Sequence, residues 1–68
     1  MTAANTNHIF TARESQIARH AAHEKTDGQI SELLQLPVAM IKRYRQGIYD
    51  KTGTWDAASL RRWLQSLG

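Results

Sequence analysis

The stretch TDGQISELLQLPVAMIKRYRQGI, Thr26 to Ile48, holds two helical patterns with one break between them. Thr26 and Gln29 stand three residues apart, the spacing of a capping box, in which each side chain takes the other residue's backbone N–H. Ile30, Leu33 and Leu34 follow at i, i+3 and i+4, one apolar face of a short helix over roughly Asp27 to Gln35. Pro37 interrupts the pattern, because a proline lacks the N–H that a helix interior needs but suits the first helical position. It also pushes Leu36 toward an extended conformation. A tight turn and a second helix from Pro37 to about Tyr49 are therefore expected, with Val38, Ile41 and Ile48 facing inward and Tyr44 or Arg45 following at the same spacing. Gly47 lies inside that helix, where it costs about 1 kcal/mol relative to alanine, or else marks an early end or a bend.

Upstream, Thr11 and Glu14 repeat the capping-box spacing and open a helix from about Thr11 to His23. Its apolar stripe, Phe10, Ile17, Ala18 and Ala21, is thin. On the other side, Asp50 to Thr54 reads as a polar turn around Gly53. A last helix then runs from Thr54 or Trp55 to about Ser66, with Ala57, Leu60, Leu64 and Leu67 at helical spacing. Met1 to Ile9 is small, polar and aperiodic, a flexible N-terminal arm ahead of a domain over 10–68. No stretch alternates as a strand does. The expected fold is all-α: a tri-helical helix-turn-helix core plus a C-terminal fourth helix.

Composition narrows the function. A chain of 68 residues makes one domain and hides only about 60% of the surface its unfolded form exposes. That leaves no room for a large cleft. There is no cysteine, so disulfides, thiolate metal sites and thiol catalysis are excluded. The longest apolar run, Leu36 to Ile41, is far short of the roughly 20 residues of a membrane span; a cytoplasmic protein is expected. His20 and His23 have a spacing that can hold a metal, but nothing convincing completes a ligand set. Ser15 and Ser31 lack a His–Asp partner, and the glycines are too scattered for a phosphate loop. Neither an enzyme nor a cofactor is expected.

Nine Lys plus Arg oppose six Asp plus Glu, a net charge of +3, which favours an anionic partner such as nucleic acid. The excess is local: Lys42, Arg43, Arg45 and Lys51 against Asp50 alone. On the helix that carries it, Ala39, Lys42, Arg43 and Gln46 share the face opposite Ile41 and Ile48. An amide can read an adenine edge, Lys or Arg a guanine edge, and either cation a phosphate.

The stretch Phe10 to Gly53 resembles the LuxR/FixJ-type helix-turn-helix domain, the DNA-binding output module of many bacterial regulators. It aligns without a gap, matching at Thr11, Arg13, Glu14, Ala22, Lys25, Thr26, Ile30, Leu34, Lys42, Ile48, Tyr49, Lys51 and Gly53. It departs where the family has a glycine (Glu24), the glutamate of its second helix (Gln29), the serine opening its recognition helix (Pro37), a histidine (Arg43 then Tyr44) and a leucine (Thr52). The resemblance implies base or groove contacts from Lys42, Arg43, Gln46 and Ala39, and phosphate contacts from Lys25, Thr26, Arg45 and Lys51. It also implies a homodimer through the fourth helix, for which Trp63, Leu67 and Leu60 are the candidate contacts. Two alternatives stay open. Arg62-Trp63-Leu64 also suits an excisionase-like or terminase-like phage domain, in which residues 47–55 would form a small wing. Or the scaffold serves protein contacts, as an adaptor, anti-activator or inhibitor.

Overall fold

The computed structural model describes the backbone of residues 9–67 and the side chains of residues 9–66. These residues form four helices and no strand: α1 (Ala12–Ala22), α2 (Asp27–Leu34), α3 (Val38–Thr52) and α4 (Ala57–Leu67). Most of the arm expected at the N-terminus lies outside the described residues. Ile9, assigned to that arm, is half-buried against the core. No helix among the described residues is long and apolar enough to cross a membrane.

Three helices begin on reciprocal caps. Thr11 Oγ1 accepts from Glu14 N at 3.2 Å while Thr11 N donates to Glu14 Oε1 at 2.9 Å. Thr26 and Gln29 repeat the exchange at 3.1 and 2.8 Å. At α4, Asp56 Oδ1 accepts from Ser59 N at 2.8 Å, and Ser59 Oγ accepts from Asp56 N at 3.1 Å. This cap sets the start of α4 at Ala57 rather than at Thr54 or Trp55. The two backbone N–H bonds that each box closes would otherwise go unmade at a helix start. At α3, Pro37 is the N-cap rather than the first helical residue, and its carbonyl takes the N–H groups of Met40 and Ile41.

The helix ends share a second device. Glu24 (φ 63°), Gln35 (φ 55°) and Gly53 (φ 68°) are left-handed. After each, the next N–H reaches back five residues: Lys25 to His20 O, Leu36 to Ser31 O and Thr54 to Tyr49 O, all at 3.1 Å. This is the Schellman closure, which glycine normally serves because it has no Cβ to clash. The turn between α2 and α3 is further fastened by the Ser31 hydroxyl, which donates to the Leu36 carbonyl. α3 continues without interruption through Gly47 and is capped only at Gly53. Residues 47–52 are therefore helical, and the wing of the phage-type alternative is not formed.

α1 packs against α3 and α4, and α2 against α3. Phe10, Ile17, Ile30, Ile41, Ile48 and Leu60 fill the core, with Ala18, Ala21 and Ala22 lining α1 where the helices approach. Two expected core residues are outside it. Leu33 is 56% exposed and Val38 41%. At about 100° per residue, Leu33 falls some 60° to one side of Ile30 and Leu34 about 40° to the other. So short a helix buries only a narrow stripe, and Leu34 takes it. Val38 stands at the first position of α3, one turn before Ile41, beyond the edge of the core.

Candidate nucleic-acid interface

α3 presents two faces of different chemistry. Ile41 and Ile48 are fully buried, and Tyr44, Arg45, Tyr49 and Thr52 are half-buried beside them. Ala39, Lys42, Arg43 and Gln46 are all exposed on the opposite side. They fall within about 100° of arc at helical pitch, so the four candidate base or groove residues form one patch. Lys42 and Arg43 enter none of the ion pairs among the described residues. Asp50 shares this face, and its Oδ1 accepts a hydrogen bond from Gln46 Nε2 at 3.2 Å.

The candidate phosphate residues are placed differently. Arg45 turns inward: Nε lies 2.8 Å from Asp27 Oδ1, and Nη2 donates to Lys25 O at 2.9 Å. Nη1 is 3.4 Å from the Tyr49 hydroxyl. The guanidinium thus holds α3 to the first turn of α2, and its charge is met by a carboxylate. Thr26 spends its hydroxyl and its N–H on the cap with Gln29, and Asp27 already places a negative charge in the first turn of α2. The shallow hollow beside it is lined by Glu24 and Asp27 as well as Lys25 and Arg45, so its charges balance.

Lys51 points away from the patch. Its Nζ lies 2.7 and 2.9 Å from the Glu14 carboxylate and 3.2 Å from Ile9 O. The hydrogen bond from Lys51, and then that from the Thr11 N–H, hold the Glu14 carboxyl below its ordinary pKa of 4.5. Arg45 and Lys51, expected on phosphates, are thus engaged in joining helices. On α4, Arg61 Nη1 donates to Ala22 O at 3.2 Å, closing the end of α1, and lies 3.7 Å from Glu24 Oε2.

The expected dimer contacts also separate. Leu60 is fully buried within the monomer and has no surface left to offer a partner. This corrects its assignment: its position in α4 turns it toward the α1 side of the core. Trp63 is half-buried, its ring centroid 5.7 Å from that of Phe10. The Leu67 side chain lies outside the described residues. Trp55, by contrast, is 71% exposed. Among the described residues no three His, Asp or Glu gather as metal ligands.

The described residues therefore define an all-α domain in which a short helix and a longer one, joined by a three-residue turn, are backed by α1 and α4. No family model, curated protein or solved structure matches the chain.

Proposed function

We propose that the chain binds duplex DNA sequence-specifically, as a small transcriptional regulator, with α3 in the major groove. The observation that carries this is the sorting of cations on α3. Arg45 and Lys51 are paired with carboxylates, whereas Lys42 and Arg43 are exposed between Ala39 and Gln46 and enter no ion pair among the described residues. A helix with cations, an amide and a small residue on its open face suits the major groove, where amide and guanidinium groups match adenine and guanine edges. Glu24, a departure from the LuxR/FixJ-type pattern, which has a glycine there, is left-handed, a conformation that glycine adopts without steric cost. Lys25 remains a candidate phosphate contact. A homodimer with Trp63 and Leu67 at its contact would place two half-sites roughly 34–36 Å apart. The role involves neither catalysis nor a cofactor.

The test is binding to a pool of random duplexes at several salt concentrations. An enriched sequence is expected, with affinity falling as salt rises. Where Lys42 or Arg43 contacts a phosphate, replacing it by alanine lowers the slope of log K against log salt by about 0.9. Absence of binding at low salt by the folded protein overturns the proposal.

One observation favours a second reading, a protein-contact module. Trp55 and Leu33 are more than half exposed, and Val38 and Met40 are each 41% exposed. Large exposed apolar groups suit a protein interface when they are contiguous. In that case Lys42→Ala and Arg43→Ala leave the activity unchanged.

A further inference from the structure

Gln46 is the one amide on the open face of α3, and its partner decides what it can read. The primary amide has two N–H donors on Nε2 and an acceptor on Oε1. Asp50, one turn further on, is acceptor-only when ionised. It therefore draws the Nε2 side toward itself, as seen in the 3.2 Å bond from Gln46 Nε2 to Asp50 Oδ1. The flipped amide would set Oε1 against a carboxylate oxygen. Among the described residues, one N–H and the whole of Oε1 take no other partner, on an exposed side chain. That remainder, a donor beside an acceptor, is the pattern that pairs with adenine N7 and the adenine N6 amino group in the major groove.

Resting on the DNA-binding reading above, we propose that Gln46 recognises one adenine in the bound site. Asp50 is its positioning residue, fixing which way round donor and acceptor are presented. Asp50 accounts for a feature that phosphate binding alone leaves unexplained. A carboxylate on a face built for an anionic partner weakens attraction to phosphates, and it costs non-specific affinity. Surface Gln–Asp pairs at i, i+4 stabilise a helix only slightly, so helix stability is a weak reason to keep one there. Holding an amide in a single orientation removes a competing state and lowers the ordering cost on binding.

The experiment enriches bound duplexes from a random pool with four proteins: the wild type, Gln46→Ala, Asp50→Ala and the double variant. Single-base variants of the best site are then titrated across salt. Both positions are exposed, and circular dichroism checks that each variant is folded. The wild type is expected to prefer adenine at one position of the half-site by roughly tenfold or more. Gln46→Ala removes that preference at that position alone. Asp50→Ala reduces it severalfold while total affinity holds or rises, because a like-charge repulsion is gone. The double variant is no less selective than Gln46→Ala. A purely structural role for Asp50 would weaken binding to all sequences alike and leave the base preference intact. That result overturns the proposal, as does an adenine preference untouched by Gln46→Ala. If the wild type binds with an enriched sequence but none of its positions responds to Gln46→Ala, this inference fails and the DNA-binding reading stands. If the wild type binds no duplex, both fall.

Discussion

Replacing Leu60 by alanine separates a core role from a dimer role. Leu60 is fully buried, and with three alanines in the core the packing rests on Phe10, Ile17, Ile30, Ile41, Ile48 and Leu60. The substitution deletes three carbons, about 2.4 kcal/mol at about 0.8 kcal/mol per buried methylene. The cavity left behind adds to this, so a loss of about 3 kcal/mol is expected, within the observed span of about 2–5 for leucine to alanine. A domain this size has roughly 3–10 kcal/mol of stability in all, at about 0.05–0.15 per residue. The loss lowers Tm by about 12–24 °C at about 4–8 °C per kcal/mol. The assay is urea and thermal unfolding followed by far-ultraviolet circular dichroism, at two well-separated protein concentrations. The deficit should be the same at both, because the lost contacts lie within one chain. A deficit below about 1 kcal/mol, or one that disappears at high concentration, would refute the core assignment and return Leu60 to an interface.

Gly47→Ala is expected to raise stability by about 0.5–1 kcal/mol in urea denaturation, since a Cβ there meets nothing within 4 Å and the helix interior penalises glycine. Glu24→Gly is expected to stabilise by about 1 kcal/mol: relief of a left-handed non-glycine residue outweighs an exposed ion pair to Arg61 at 3.7 Å. A loss of stability in the same assay would show that the contact with Arg61 dominates. Arg45→Ala is expected to cost about 2 kcal/mol, because it strips Asp27 and the Lys25 carbonyl of their partner. Among duplex-binding variants it should leave the salt slope nearer to wild type than Lys42→Ala does. The Glu14 carboxyl has a depressed folded-state pKa, so its contribution is complete above the ordinary value of 4.5 and is lost as pH falls through the folded value. Urea midpoints from pH 7 down to pH 3 should fall less steeply in Glu14→Gln than in the wild type. Equal pH dependence would remove Glu14 from the account.

Helix starts were legible in the sequence wherever the chemistry is carried by side chains at fixed spacing, as at Thr11–Glu14 and Thr26–Gln29. The Asp56–Ser59 cap uses the same geometry with a serine in place of the longer acceptor, and it was missed. Helix ends were harder. They depend on a left-handed backbone, and only Gly53 advertises it. Glu24 and Gln35 adopt the conformation under tertiary and hydrogen-bond constraint that their side chains do not announce. The open patch on α3 follows from helical phase alone, so Ala39, Lys42, Arg43 and Gln46 could be grouped in advance. The fate of Arg45 and Lys51 could not. A cation reads the same whether it faces solvent or a carboxylate, and their partners Asp27 and Glu14 are distant in sequence. Leu33 and Val38 met the apolar pattern but lie past the limits of a core too small to use every position the pattern offers.

The junction of Lys51 with Glu14 and Ile9 O fixes a load path. Ile9 begins the described residues, and its carbonyl is bonded to Lys51 in the last turn of α3, which also holds Glu14 near the start of α1. A pull on residue 9 is therefore shared between the start of α1, the end of α3 through Lys51, and α4 through the packing of Phe10 on Trp63.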